Sequence, residues 1–81
     1  MKKVAWQPSV FRAEVARHRL TAESFRDRLR PLIKHLGPYY LPSVHMVYRW
    51  GKEGSPGPPR HLPRAAVASI LKVAQKELWK S

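Results

Sequence analysis

The chain contains no cysteine, only five acidic residues among 81, and no long apolar run. The lack of cysteine excludes a disulfide framework and a zinc site built on thiolates. A membrane-spanning helix needs roughly 20 consecutive apolar residues, and no stretch of this sequence approaches that length. We therefore expect one small cytoplasmic domain without a membrane partner.

The few carboxylates also leave little room for catalysis. The scattered Asp and Glu residues suggest no general acid–base pair, and the sequence has neither a glycine-rich phosphate loop nor a nucleophile elbow. No two histidines stand four residues apart, which is the spacing of the common helical zinc motif. These absences predict a protein that is not an enzyme and takes no cofactor, metal ion or small-molecule substrate.

What the sequence does carry is positive charge. Sixteen Lys and Arg against five Asp and Glu give a net charge of +11. So much like charge on a short chain causes self-repulsion, which a polyanionic partner relieves. Nucleic acid is the first candidate partner. The alternatives are ribosomal or other RNA, an acidic host protein that the chain would bind and block, and an anionic membrane surface. A basic composition without any partner is the remaining interpretation.

Apolar residues recur at helical spacing in several segments, which predicts an all-α fold of four to five short helices. The first helix is expected over 10–20 with Ser9 as its N-cap. The second is expected over 22–36 with Thr21 as its N-cap. Pro31 lies inside the second segment and predicts a kink or break there, because proline removes one backbone hydrogen bond and crowds the preceding turn.

Two further helices are expected in the second half of the chain. Ser43 caps a short helix over 44–50, and a last helix runs from Arg64 to about Lys80. The proline-rich segment 55–59 between them reads as a stiff, extended connector. No stretch alternates apolar and polar residues with period two, so no strand is predicted.

The first eight residues read as a basic arm in front of a single domain over 9–81. Lys2 and Lys3 are then free to lie against phosphates, while Trp6 anchors the arm on the domain. The arm's Trp6 and the last helix's Leu78 and Trp79 are the predicted contacts of a homodimer.

The helix over 44–50 is amphipathic and suited to a DNA groove. At 100° per residue, Val44, Val47 and Tyr48 face one way, and His45, Met46 and Arg49 face the other, with Trp50 at the boundary. An arginine can bridge the two major-groove acceptors of guanine, and an apolar side chain can contact the methyl group of thymine. The helical segments around it predict a helix-turn-helix core that binds double-stranded DNA.

The motif Val47-Tyr48-Arg49-Trp50-Gly51, followed by Glu53-Gly54 and prolines, resembles the end of the recognition helix in Cro/repressor-like regulators of the xenobiotic-response-element type. The resemblance covers about residues 21–60, and its connector at 38–41 is longer than usual for that family. It implies a phage or mobile-element type of repressor, with Ser43, His45, Met46 and Arg49 in base-reading positions. A second resemblance, to winged-helix excisionase and MerR-type domains, is weakened because the segment after the helix lacks strand-forming residues.

Other basic residues are expected to hold the sugar–phosphate backbone, which fixes the register of a protein on the duplex. These residues are Lys2, Lys3, Arg26, Arg30, Lys34, Lys52, Arg60 and Arg64. Of Tyr39 and Tyr40, at least one is expected to pack while its hydroxyl bonds a phosphate or a backbone group. The sequence thus predicts a nucleoid-associated transcriptional regulator that occludes a promoter, as a homodimer on a palindromic operator with half-sites roughly 34 Å apart.

Overall fold

The computed structural model describes residues 4–80, apart from the side chain of Pro38. Within that range it is mostly helical, as the sequence predicts. The helices are α1 (Pro8–Arg17), α2 (Ala22–Leu32), α3 (Val44–Trp50), α4 (Arg64–Leu71) and α5 (Gln75–Leu78), and two short strands, β1 (Ala5–Trp6) and β2 (Trp79–Lys80), pair with each other.

Helix α1 begins two residues earlier than predicted. Pro8 is its first residue, a position where the missing N–H is not needed. Gln7 is the N-cap and makes no side-chain capping bond, so the prediction of Ser9 as the cap is wrong. The helix ends at Arg17, and Arg19 follows in the left-handed region with φ of 55°.

Helix α2 begins as its sequence predicts. The Thr21 Oγ1 accepts the backbone N–H of Ser24 at 3.1 Å, and the Ser24 Oγ accepts the backbone N–H of Thr21 at 2.7 Å. Each side chain thereby satisfies a backbone donor that the first turn leaves free. The helix continues through Pro31 and ends at Leu32, so it stops one residue after the proline and four residues before the predicted end at 36.

The connector between α2 and α3 covers residues 33–43 and contains two single-turn 3₁₀ helices, Lys34–Leu36 and Pro38–Tyr40. Gly37 joins them with φ of 97°, a backbone conformation that side-chain-bearing residues rarely adopt. Helix-turn-helix motifs ordinarily use a turn of about 3–4 residues. Helices α2 and α3 do pack together, but through a longer connection.

The predicted last helix is two helices and a strand. Helix α4 stops at Leu71, because Lys72 adopts the left-handed conformation with φ of 55°. The backbone N–H of Val73 then donates to the carbonyl of Ala68 at 3.2 Å, which closes the helix end. The left-handed residue that ends a helix is usually glycine. Because Lys72 has this role here, nothing in the sequence indicated that the helix ends at Leu71.

The strand pair joins the two ends of the described chain, which corrects the prediction of no strand. Ala5 pairs with Lys80 and Trp6 with Trp79 in antiparallel register. Strands of two residues are too short for period-two alternation to be visible. Since Ala5 and Trp6 belong to the packed domain, an arm over residues 1–8 is not what the structure shows. Its basic residues Lys2 and Lys3 lie outside the described residues.

The core is built from aromatic residues of distant segments and from the inner faces of the helices. Its aromatic members are Trp6, Phe11, Phe25, Trp50 and Trp79. Phe11 lies at the centre, with ring centroids 5.2 Å from Trp6, 5.3 Å from Phe25 and 6.1 Å from Trp50. Tilted and edge-on contacts at these distances are favourable for aromatic pairs. The cluster fixes α3 against both α1 and α2.

Candidate nucleic-acid interface

Helix α3 is attached to the domain by the side of the helix that carries Val47 and Trp50, both buried. Val47 was predicted to face inward and does so. Val44 and Tyr48 were predicted to do the same, but both are exposed, Tyr48 to 59%. The centre of the buried face lies between positions 47 and 50, so a residue 100° beyond position 47 turns toward solvent.

The outward face of α3 agrees with the sequence prediction. His45, Met46 and Arg49 are all exposed. Tyr48 adds an aromatic ring and a phenolic hydroxyl to this face, which the sequence pattern assigned to the interior. The exposure of Tyr48 could have been predicted from Trp50, which lies two positions further along the helix. When Trp50 is buried, Tyr48 lies about 200° away around the helix and faces solvent.

The start of α3 is held by a cap and by a bond from α2. The Ser43 Oγ accepts the backbone N–H of Met46 at 3.1 Å, which leaves its own hydroxyl proton free to donate. The Arg26 Nε donates to the carbonyl of Pro42 at 2.7 Å, and Arg26 is half-buried. Arg26, predicted to contact phosphate, therefore has a structural role in positioning the helix start.

The end of α3 is held by a residue that sequence reasoning missed. The Arg12 Nη1 donates to the carbonyl of Gly51 at 2.6 Å, and its Nη2 lies 3.5 Å from the Glu53 Oε1. Arg12 and Gly51 are 39 positions apart, so no local pattern indicates their contact. Beside them, the Lys52 Nζ lies 5.0 Å from the ring centroid of Tyr48, a favourable position for a cation on an aromatic face.

Three of the predicted phosphate contacts come together beside the start of the connector. Arg26, Arg30 and Lys34 line one groove of about 430 Å³. Arg30 and Lys34 are exposed, and the Arg30 Nη2 is 4.0 Å from the Asp27 Oδ1. An exposed ion pair at this distance is weak, so it does little to keep Arg30 from another anion.

Two further predicted phosphate contacts, Arg60 and Arg64, line a second cavity of about 380 Å³. The Arg64 guanidinium carbon lies 5.1 Å from the ring centroid of Trp79, and both arginines are exposed. Pro56 borders this cavity and also borders the groove that contains Arg49. Pro56 thus lies between the groove of Arg49, which also contains Glu53, and the cavity of Arg60 and Arg64.

The sequence around these elements carries mainly positive charge. The sequence has no Asp or Glu from residue 28 to residue 52, a stretch that includes the end of α2, the connector and all of α3. Its Lys and Arg residues are Arg28, Arg30, Lys34, Arg49 and Lys52. The carboxylates that border this stretch, Asp27 and Glu53, each lie within 4.0 Å of an arginine, Arg30 and Arg12 respectively. The remaining basic groups on the exposed surface favour a polyanion.

A further groove of about 620 Å³ lies between α1 and the end of α3. Its walls are mostly apolar, formed by Phe11, Val15, Leu20 and Val47 among others, and its one carboxylate, Glu53, is paired with Arg12. It therefore holds no pair of carboxyl groups for acid–base catalysis.

No cluster of three potential metal ligands occurs among residues 4–80. In the same range, every helix is too short or too polar to cross a bilayer. Comparisons with family models, with curated proteins and with solved structures found no match for this chain.

Proposed function

We propose that the protein is a sequence-specific regulator that binds double-stranded DNA through the exposed face of α3. The observation that carries the proposal is the exposure of His45, Met46 and Arg49 on a helix whose opposite side is buried. The stretch around that helix carries no carboxylate. The resemblance to Cro/repressor-like regulators supports the same function, although the long connector departs from that family.

Helix α3 has the dimensions for groove reading. An α-helix with its side chains is about 10–12 Å across, and a B-DNA major groove about 12 Å wide admits one helix. The seven residues of α3 run roughly 10 Å along the helix axis. Arg49 would donate to guanine, His45 to a base edge or a phosphate, and Met46 would contact a thymine methyl. Tyr48 and Lys52 extend this surface toward the end of the helix.

The sugar–phosphate backbone would be held on both sides of α3. Arg30 and Lys34 serve one side, and Lys52, Arg60 and Arg64 serve the other, with the hydroxyl of Ser43 near the helix start. Lys2 and Lys3 would add contacts from the N-terminus. Each phosphate neutralised releases condensed counterions, so the affinity should fall steeply with salt.

A homodimer on a palindromic operator is also part of the proposal, but through other surfaces than those named from the sequence. Trp6, Leu78 and Trp79 are buried inside one protomer and offer no interface, which corrects that prediction. The mechanism would be occlusion of a promoter in the nucleoid, without chemistry on the DNA.

Selection of bound sequences from a random duplex pool tests this function. We expect an enriched motif containing guanine, and an inverted repeat would establish the dimer and its half-site spacing. Structured RNA that displaces the selected duplex at equal nucleotide concentration would favour the RNA-binding alternative. A tight stoichiometric complex with an acidic protein, together with no enriched DNA motif, would contradict DNA reading altogether.

A further inference from the structure

Two adjacent tyrosines of the connector have different surroundings. Tyr40 is 45% exposed, and its ring lies 4.9 Å from the ring of His61 in an edge-on contact. Tyr39 is 96% exposed. An aromatic side chain with almost no contact to its own domain gains nothing from burial, so Tyr39 contributes little to the fold.

The position of Tyr39 places it close to the proposed reading helix. It lies in the 3₁₀ helix Pro38–Tyr40, which follows the turn at Gly37. Tyr39 is four positions before Ser43, the cap of α3, so the two Cα atoms are at most about 14 Å apart. Tyr39 is therefore near the start of the proposed reading helix and almost fully exposed beside it.

The charge near Tyr39 favours a phosphate as its partner. Lys34 and His35 occupy the preceding 3₁₀ turn and are exposed, and no carboxylate lies between residues 28 and 52. Stacking of the ring needs an unpaired base, which an intact duplex does not present. A tyrosine hydroxyl, by contrast, is a regular donor to phosphate oxygens.

We infer that the Tyr39 hydroxyl donates a hydrogen bond to a backbone phosphate beside the groove that α3 reads, with Lys34 supplying charge nearby. This inference rests on the proposed function. It assigns the long connector a role in binding and divides the two tyrosines by role: Tyr40 packs and Tyr39 binds.

Three variants test the inference by their affinity for the selected duplex at several salt concentrations. Tyr39→Phe removes only the hydroxyl and should weaken binding about three- to tenfold. Because the lost donor is neutral, the slope of log affinity against log salt should stay unchanged. Lys34→Ala should instead reduce that slope by about one. Tyr40→Phe, the matched control, should bind like the wild type.

Because Tyr39 is almost fully exposed, the Tyr39→Phe variant should unfold at the same thermal midpoint as the wild type. A change in the affinity of this variant for DNA therefore reports binding and not folding. Equal affinities of Tyr39→Phe and wild type would overturn the inference and leave the proposed function standing. Equal losses of duplex affinity in Tyr39→Phe and Tyr40→Phe would likewise overturn the inference. A wild-type chain that retains no duplex would overturn the proposed function and this inference together.

Discussion

The joined chain ends and helix α3 are held in the molecule in different ways. At the ends, Trp6 and Trp79 are buried, pair across the two-stranded sheet and lie with ring centroids 4.9 Å apart. Helix α3 buries only Val47 and Trp50, and bonds from two arginines fix its termini. The ends are thus joined through two buried tryptophans, whereas α3 is positioned so that five of its seven residues stay exposed.

Substitutions in the two regions should separate stability from binding. Trp6→Ala should have the largest effect, because it removes a buried aromatic ring and the donor that bonds the carbonyl of Trp50 at 2.7 Å. We expect a loss of roughly 3–5 kcal/mol in the free energy of unfolding, measured by urea denaturation. Val4→Ala, at an exposed position, is the control and should stay within about 0.5 kcal/mol. Equal effects of the two would show that the strand pair does not close the core.

Arg49→Ala, unlike Trp6→Ala, should weaken DNA binding and leave stability almost unchanged. Because Arg49 is exposed, its removal should leave the unfolding midpoint nearly unchanged. It should cost roughly 1–3 kcal/mol in binding to the selected duplex and relax the preference at one base pair. Competition titrations with single-base variants of the site measure this. An unaltered preference at every base pair would argue against α3 as the reading element.

Arg12→Ala should have a smaller effect that reaches both properties. Loss of its hydrogen bond to the Gly51 carbonyl should lower stability by about 1 kcal/mol and loosen the end of α3. Arg17→Ala, which breaks an exposed ion pair with Glu14, is the control and should change stability by no more than about 0.5 kcal/mol. If Arg12→Ala and Arg17→Ala had the same stability and the same duplex affinity, the hydrogen bond from Arg12 to the Gly51 carbonyl would contribute to neither property.

The same contrast explains which features the sequence reveals. The caps at Thr21 and Ser43 were predictable, because each depends on residues only three positions apart. The exposure of His45 and Arg49 follows from helical periodicity in the same local way. These signals lie in the segment that carries the candidate site.

The features that sequence analysis missed depend on contacts between distant residues. The pairing of Ala5 with Lys80 and the bond from Arg12 to Gly51 join segments that no local pattern relates. The end of α4 at Lys72 uses a residue that rarely adopts a positive φ. Tryptophans near both termini suggested a surface for a partner, but their pairing within one protomer buried them.

The proposed function requires that α3 and its connector form the surface that contacts DNA. Backbone amide chemical shifts of the protein, followed by NMR while a selected duplex is added, test this most directly. We expect the largest shift changes over residues 34–52 and small ones at Trp6 and Trp79. Changes confined to α4 and α5, or none at a duplex concentration that saturates binding, would contradict the proposed function.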